Sequence, residues 1–501
     1  MTQVSASSAE LLQGYAEDVQ AFLEEWKIPG AAIGVVKDDE VIFASGFGQR
    51  DREQGLAVTP QTVFPIASCT KAFVAMALAI LVDEGKLEWD KPVRDYLPDF
   101  KLADEIASER LTTRDILSHR SGLPGHDLAV YNSSLRKEEL LKRMQYLELN
   151  HDIRTAWQYN NLMYAVSGCV LEAISGQSWH SFIRERILTP LGMSSTSFSS
   201  AELQQAPDYA SPYTLRNDEV KRTRYYTRLA VDGPAGAMNS NVEDMTKWLR
   251  CLLKHGKYGD GEQRLVSEEQ FAQLTGPQMI MPKEAFEDEH YTEESSMCYA
   301  LGWWVYYYRG HRFVQHSGGI DGFSVLTTFL PDDNLGTVVL TNREAHVVAT
   351  HGIFTYSAVD RLLGLDLVPW NERTKRYYTR LKEQAEQQKK QEESKRVADA
   401  PLSHPISDYV GEYEHPGYGT FSILPEGQGI KGLLNGLEYS LSHFHYDVFQ
   451  AELARFDATF NVSFSTDLDG KITYFSAPLE PSGKPIVFKR AKAAAQANGT
   501  A

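Results

Sequence analysis

Cysteine is scarce in this sequence, and its placement excludes a metal or disulfide framework. The four cysteines share no Cys-x-x-Cys or Cys-x-x-His spacing; they are Cys69, Cys169, Cys251 and Cys298. Zinc sites and disulfide scaffolds both need such pairs close together in sequence or in a short secreted chain. We therefore predict no metal site and no cofactor.

Basic residues are fewer than acidic ones. The chain has 50 Lys and Arg against 67 Asp and Glu, a formal net charge of −17, which argues against nucleic acid or an anionic membrane as a main partner. The longest apolar run, residues 72–82, ends at Asp83 and is too short to span a bilayer. The first ten residues lack the basic start and apolar core of a secretory signal. We expect a cytoplasmic protein whose partner is a small-molecule or peptide substrate, and the pattern leaves the oligomeric state open.

The hydrophobic pattern predicts an α/β (α+β) fold. An amphipathic helix over Leu11–Trp26 precedes a β-hairpin that turns at Asp38–Asp39, and helical periodicity dominates residues 68–255. Four strand-like runs follow: Leu301–Tyr308, Arg312–His316, Phe323–Leu330 and Gly336–Thr341. One antiparallel sheet built from both chain ends and flanked by helices, with a helical subdomain between them, is the economical arrangement.

Composition changes after residue 370 and predicts a second domain. Residues 1–370 form the predicted catalytic domain, and residues 371–404, rich in Lys, Arg, Glu and Gln, form a charged linker or solvated helix. Residues 405–490 alternate aromatic and polar side chains between short turns, which predicts a small β domain. Residues 491–501 are predicted to be a disordered tail.

Ser68 and Lys71 form the strongest chemical signal. They lie three residues apart at the start of an apolar helix, so their side chains emerge on one face as neighbours. The positive end and free N–H groups of a helix N-terminus favour an oxyanion, which suits acyl transfer. The adjacent Cys69 should point away from Lys71 into the core. A helix-capping serine is the alternative interpretation of Ser68.

The spacing alone is not specific. Ser134 and Lys137 repeat it, but they lie in a polar segment that predicts the solvated start of a helix. The motif at Ser68 is distinguished by its apolar surroundings.

A base and a substrate-binding group are offered by Tyr159 and Asn161. Two residues apart in an extended loop, they point the same way, just before a predicted helix over Leu162–Ile174. A phenol beside the Lys71 ammonium has its charged form favoured and can accept the serine proton. Asn161 can donate to a substrate carbonyl and accept from Lys71. A helix cap is again the alternative.

A third element closes the predicted strand Arg312–His316. Gly318 and Gly319 would let a substrate approach the backbone, and the Gly319 N–H would complete an oxyanion hole with that of Ser68. We expect His316 to bind substrate as a donor that titrates near neutrality. His415 and Gly417 copy the His-x-Gly spacing without a nearby serine.

Together these elements resemble the superfamily of serine β-lactamases and penicillin-binding proteins. The branch with class C β-lactamases, D-stereospecific peptidases and esterases uses Ser-x-x-Lys, Tyr-x-Asn and a Lys-Thr-Gly or His-x-Gly strand. Three further stretches look like the family: Ile28–Val36, Thr113–Pro124 and Pro234–Ser240. The resemblance covers about residues 15–365, and the last domain resembles the lipocalin-like barrel of some members.

The resemblance implies a serine hydrolase that acts through an acyl-enzyme on peptide, amide or ester bonds. Ser68, Lys71 and Tyr159 would be catalytic, whereas Asn161, His316, Gly318 and Gly319 would bind substrate or its oxyanion. Histidine replaces the lysine that helps dedicated β-lactamases grip a carboxylate, which disfavours that activity. An acyltransferase or peptide cyclase using the same intermediate, and a non-catalytic acyl-binding sensor, are the alternatives.

Overall fold

The computed structural model describes residues 7–226, 233–282, 292–295, 297–345 and 350–492. They belong to two compact units. The first unit is Met1–Phe100, Glu109–Gly122 and His151–Gln384, and the second is Lys101–Ser108, Leu123–Asn150 and Ala385–Ala501.

Strands of the first unit come from both ends of its chain. In sequence order they are β1 (Gly30–Lys37), β2 (Glu40–Asp51), β3 (Leu56–Ala57), β4 (Phe64–Pro65), β5 (Tyr213–Arg216), β6 (Glu219–Arg222), β7 (Asn239–Ser240), β8 (Met279–Ile280), β9 (Cys298–Tyr299), β10 (Trp304–Tyr308), β11 (His311–Ile320), β12 (Phe323–Leu330) and β13 (Leu335–Thr341). Among the described residues, nine strands form one sheet in the order β3-β2-β1-β13-β12-β11-β10-β9-β8. Its strand pairs are antiparallel, which confirms the predicted fold class.

The helices of the described chain vary from single turns to 25 residues. They are α1 (Ser8–Leu11), α2 (Tyr15–Glu25), α3 (Thr70–Asp83), α4 (Val93–Tyr96), α5 (Glu105–Arg110), α6 (Thr113–Leu117), α7 (Lys137–Met144), α8 (Asn161–Ser175), α9 (Trp179–Ile183), α10 (Thr189–Leu191), α11 (Ser200–Leu203), α12 (Gly233–Gly236), α13 (Val242–Leu253), α14 (Glu268–Thr275), α15 (His351–Leu362) and α16 (Trp370–Ser394). Within the described part of the chain, none is both long enough and apolar enough to cross a membrane.

Both faces of the inner strand β1 are covered by helices. Ile33 packs in the same core as Tyr15 of α2 and Phe354 of α15. Gly34 faces the other way, where a Cβ atom would lie 2.8 Å from a methyl group of Val242 in α13. Because neither face meets water, β1 is continuously apolar rather than alternating.

Three local predictions can be compared with these bounds. The hairpin turn at Asp38–Asp39 is confirmed, and both residues have positive φ, +50° and +69°, as hairpin turns with matching twist require. The single helix predicted over Leu11–Trp26 is wrong, because left-handed Gly14 (φ +80°) separates α1 from α2. The strand predicted to end at His316 continues to Ile320.

The second unit contains a closed eight-stranded barrel. Its strands are β14 (Gly411–His415), β15 (Gly419–Glu426), β16 (Gly429–Leu434), β17 (Leu437–His445), β18 (Val448–Leu453), β19 (Ala458–Thr466), β20 (Ile472–Ala477) and β21 (Ile486–Arg490), and β14 closes the ring against β21. Buried aromatic rings fill the interior, with the Phe475 centroid 4.7 Å from Phe421 and 5.1 Å from Phe464. The likeness to lipocalins stays a prediction.

Residues 123–150, although far from the barrel in sequence, belong to the same unit as the barrel. The backbone N–H of His126 donates to Glu480 at 2.7 Å, and the side chain of Asn132 donates to the carbonyl of Asn435 at 2.7 Å. The sequence-based domain boundaries stay a prediction; residues 371–394 are helical within α16, and residues 493–501 of the predicted tail lie outside the described residues.

Candidate active site

Ser68 lies in a tight turn that leads into a buried helix. The α-helix itself begins at Thr70, and Ser68 belongs to the preceding 3₁₀ turn, Ala67–Cys69. Ala67 has φ +45°, a left-handed conformation that is costly for a residue with a side chain and is often found at functional sites. Ser68 is half-buried, whereas the residues on either side of it are buried, so within this turn its hydroxyl is the accessible group.

Lys71 is fully buried and connects Ser68 to two other segments. Its Nζ donates to Ser68 Oγ at 3.0 Å, to Asn161 Oδ1 at 2.7 Å and to the carbonyl oxygen of Ala235 at 2.8 Å. Each of these three oxygens can accept a hydrogen bond from the lysine nitrogen. The geometry therefore places the lysine nitrogen within hydrogen-bond distance of the serine hydroxyl.

The Tyr159–Asn161 segment reaches Lys71 from the start of α8. Asn160 is the N-cap, and its side chain accepts from the backbone N–H of Met163 at 2.8 Å. Nζ of Lys71 lies 4.8 Å from the ring centroid of Tyr159, within the range of a cation–π contact. Both predicted residues of this motif thus contact the same ammonium.

Strand β11 passes directly against the Ser68 turn. A Cβ atom at Gly318 would come within 3.0 Å of the carbonyl oxygen of Ile66, closer than real Cβ atoms approach. At Gly319, by contrast, a Cβ would meet no atom within 4 Å. Only glycine at 318 therefore permits this contact, and the backbone at Gly319 borders open space.

Cys69 fastens the turn to the same strand. Its buried thiol donates to the carbonyl oxygen of His316 at 3.1 Å. Burial raises the pKa of Cys69 to about 12, so the thiol keeps its proton. The prediction that Cys69 packs in the core is confirmed.

His316 is fully buried, and both of its ring nitrogens are bonded inside the protein. Nδ1 lies 2.6 Å from the carbonyl oxygen of Ser317, which can only accept, so Nδ1 carries the hydrogen. Nε2 then accepts from the hydroxyl of Tyr299 at 2.8 Å. The indole of Trp304 stacks on the imidazole of His316, with 4.9 Å between the two ring centroids.

This environment corrects the prediction for His316. Burial, and secondarily the nearby charge of Lys71, lowers the pKa of His316 to about 3. The imidazole is therefore neutral at physiological pH, and the expectation that it titrates near neutrality is wrong. Substrate binding would need a ring nitrogen, and the bonds to Tyr299 and Ser317 occupy both.

The low pKa of His316 predicts a loss of stability in acid. Because the folded-state pKa lies below the usual 6.5, the unfolded chain takes up the proton first, and this contribution to stability falls as pH drops from 6.5 towards 3. Each such histidine adds a slope of up to about 1.4 kcal/mol per pH unit. We expect His316→Gln to flatten the fall in melting temperature between pH 7 and pH 4.5.

The matched control for that measurement is His180→Gln, since His180 is exposed. Its acid slope should equal that of the wild type. A His316→Gln variant with the wild-type slope would contradict the assignment.

The two sequence copies of the motifs belong to the second unit, whereas Ser68, Lys71, Tyr159 and His316 belong to the first. Ser134 and Lys137 are exposed, and Lys137 opens α7, which confirms the predicted solvated helix start. His415 ends β14, where its Nδ1 accepts from the backbone N–H of Gly417 at 3.1 Å.

Several groups at the site were not predicted from the sequence. The carbonyl oxygen of Ala235 accepts from Lys71, and the hydroxyl of Tyr299 donates to His316. The ring centroid of Tyr164 lies 5.1 Å from Lys71 Nζ. Ala235 falls within a stretch already noted as family-like, but a backbone acceptor leaves no trace in residue type. The described residues contain no cluster of three or more His, Cys, Asp or Glu side chains that could hold a metal ion.

Comparison with known proteins agrees with the fold. The family model described as Beta-lactamase matches residues 16–355, and a domain of unknown function, DUF3471, matches residues 395–490. The unguisins hydrolase ungD' of Aspergillus campestris is 30% identical over 450 residues, which are 85% of this chain and 80% of that protein.

Solved structures show the same fold at lower identity. An octameric penicillin-binding protein homologue from Pyrococcus abyssi superposes with a TM-score of 0.63 at 22% identity, covering 95% of this chain and all of that one (100%). A D-stereospecific amidohydrolase from Streptomyces sp. superposes with a TM-score of 0.54 at 21% identity, covering 66% of this chain and 94% of that one. With the family model spanning most of the first unit and a relative at 30% identity along most of the chain, this protein belongs to the β-lactamase family and is a serine hydrolase.

Proposed function

We propose that this protein hydrolyses amide, peptide or ester bonds through an acyl-enzyme on Ser68. The observation that carries the proposal is the position of Lys71 Nζ, 3.0 Å from Ser68 Oγ and 2.7 Å from Asn161 Oδ1. This position brings the nucleophile and the cation of one segment together with the Asn161 amide from another, as nucleophilic catalysis requires.

The proton path follows from the charge of Lys71. An ammonium has no lone pair with which to accept the serine proton, so Tyr159, whose phenolate form that cation favours, is the base. Ser68 Oγ attacks the carbonyl carbon and its proton passes to Tyr159. Tyr159 then protonates the leaving amine or alcohol. In the second half, water attacks the acyl carbon and gives its proton to Tyr159. As the bond between the acyl carbon and Ser68 Oγ breaks, Tyr159 passes that proton to Ser68 Oγ, which releases the acid and restores both residues.

Backbone N–H groups of Ser68 and Gly319 stabilise the oxyanion in this mechanism. The open space beside Gly319 supports that role, since a substrate carbonyl needs room there. Asn161 orients the substrate amide, and Gly318 lets β11 lie against the turn. His316 contributes by holding β11 through Tyr299 and Ser317, rather than by touching the substrate.

The substrate class is supported by the relatives. The small cavity that borders the Ser68 turn at Pro65 and Gly236 has both apolar and polar side chains in its lining, among them Phe323, Asn239 and Asp321, and sets no preference between acyl groups. Relatives are named a hydrolase and a D-stereospecific amidohydrolase. These names support water as the acyl acceptor and make D-amino-acid amides the first substrates to test.

The test combines covalent labelling with a substrate panel. We expect a fluorophosphonate to add one adduct, which peptide mapping locates on Ser68, and we expect turnover among p-nitrophenyl esters and D- and L-amino-acid amides. Product analysis separates free acid from a transferred acyl group. No adduct, or an adduct on Ser134, contradicts the proposal; a dominant transfer product with an added amine favours acyltransfer instead.

A further inference from the structure

His119 lies beside the Tyr159 segment, although 40 residues separate the two in sequence. The backbone N–H of Asn160 donates to His119 Nδ1 at 3.1 Å, and the backbone N–H of Gln158 donates to the His119 carbonyl at 2.8 Å. His119 itself has φ +57°. This residue therefore bonds the backbone on both sides of Tyr159.

The ring of His119 also packs against the tyrosine. Its centroid lies 4.4 Å from that of Tyr159 and 4.5 Å from that of Tyr299, and the side chain is fully buried. Burial and the charge of Lys71 lower the pKa of His119 well below its usual value, so the ring is neutral. The neutral His119 ring therefore packs against Tyr159 and Tyr299 without adding a charge to the site.

One atom of the ring has no hydrogen-bond partner among the residues that the structure describes. Since Nδ1 accepts a hydrogen bond, the hydrogen of the neutral ring is on Nε2. Nε2 is buried, and no group in the described part of the chain accepts from it. A buried donor without a partner lowers stability, and such a group in a native structure needs an explanation.

A residue that served stability alone would gain from replacing this donor with an apolar ring. An apolar ring, however, could not accept the hydrogen bond that the backbone N–H of Asn160 donates to His119 Nδ1. Asn160 lies between Tyr159 and Asn161, the two residues that contact Lys71. Asn160 is fixed a second time because its side chain caps α8. The three-residue segment is thus held in the middle by His119 and at both ends by Lys71.

We propose that His119 is a positioning residue for catalysis, which fixes the Asn160 backbone and the Tyr159 ring so that the phenol meets Ser68 and Lys71 in register. The proposal rests on the proposed function, in which Tyr159 carries the proton. The titratable groups that surround it are Lys71, Tyr159, Tyr164, Tyr299 and His316.

Two substitutions at this position separate positioning from bulk packing. His119→Ala removes the acceptor and the ring, whereas His119→Asn keeps an acceptor and tolerates positive φ. We expect His119→Ala to slow acylation by a fluorophosphonate and to lower kcat by about 100-fold, with KM changed much less, because small displacements of reacting groups have such effects. His119→Asn should restore kcat by about 10-fold relative to His119→Ala.

The pH profile supplies a readout that lost stability would not move. Misplacing Tyr159 relative to Lys71 alters its ionisation, so the limb of the kcat/KM profile that reports the base should shift in His119→Ala and return towards wild type in His119→Asn. His351→Ala is the matched control, since His351 is a buried histidine that bonds Ser324. It should lower the melting temperature and leave the position of that limb unchanged.

Two results would overturn the proposal. One is a His119→Ala variant with the wild-type acylation rate and pH profile, and the other is a well-folded His119→Asn variant as slow as His119→Ala. The wild type in the same assay distinguishes the two levels of inference. If it forms no adduct at Ser68, the proposed function fails as well; if it acylates normally and His119→Ala does too, only the role of His119 fails.

Discussion

Ser68→Ala should abolish acyl-enzyme formation and lower kcat/KM for every active ester or amide by about 10³-fold or more, because loss of the nucleophile removes the covalent route. The oxygen that is lost is the one that Lys71 contacts at 3.0 Å. Alanine fits the 3₁₀ turn, since the residue before it is already alanine in a less favourable conformation. Intact-mass analysis after fluorophosphonate treatment and steady-state hydrolysis measure the two effects.

The chain provides its own control for that substitution. Ser134→Ala changes a serine with the same spacing to a lysine, but Ser134 and Lys137 are exposed at the start of α7. It should keep the wild-type adduct and rate. Hydrolysis that survives in Ser68→Ala, or an adduct that disappears in Ser134→Ala, would place the nucleophile elsewhere.

The Ser68–Lys71 pairing was predictable because it depends on local geometry. Side chains three residues apart nearly eclipse in a 3₁₀ turn and are neighbours in an α-helix, so the two emerge together whichever form the backbone takes. The prediction was therefore insensitive to the actual helix start at Thr70. The same locality explains the correct hairpin turn at Asp38–Asp39.

The state of His316 was not predictable for the opposite reason. Its low pKa comes from burial and from Lys71, and its tautomer comes from Tyr299 and Ser317. Lys71 and Tyr299 lie on other elements, α3 and β9, that approach only in the folded chain. A strand histidine in sequence carries no information about such neighbours, so its ordinary pKa was the only available expectation.

The end of strand β11 shows how a local rule can mislead. Gly318 and Gly319 are typical turn residues, yet both stay in the ladder with β12, opposite Val325 and Ser324. The first is glycine because the Ser68 turn packs against it, a long-range requirement that mimics a turn signal. The turn falls instead at Asp321–Gly322.

These adjacent glycines give the second prediction of large effect. Gly318→Ala would force a Cβ atom into the carbonyl oxygen of Ile66, and the Ser68 turn or β11 would have to move. We expect a loss of about 1–3 kcal/mol in the free energy of unfolding, as for other overpacked sites. We also expect acylation to slow by about 100-fold, because the displaced backbone carries Ser68.

Gly319→Ala is the matched substitution one residue away. Its Cβ would meet no atom within 4 Å, so the melting temperature should stay close to that of the wild type, with a stability change of about 0.5 kcal/mol or less. If the Gly319 N–H stabilises the oxyanion, the added methyl group enters the space used by substrate, and bulky acyl groups should lose more activity than acetyl esters. Thermal unfolding and a series of p-nitrophenyl esters of increasing acyl length measure both variants.

Equal losses of stability at the two positions, or a stable and fully active Gly318→Ala, would show that β11 does not fix the Ser68 turn. If Gly319→Ala lowers activity equally for short and long acyl groups, the substrate does not bind beside Gly319.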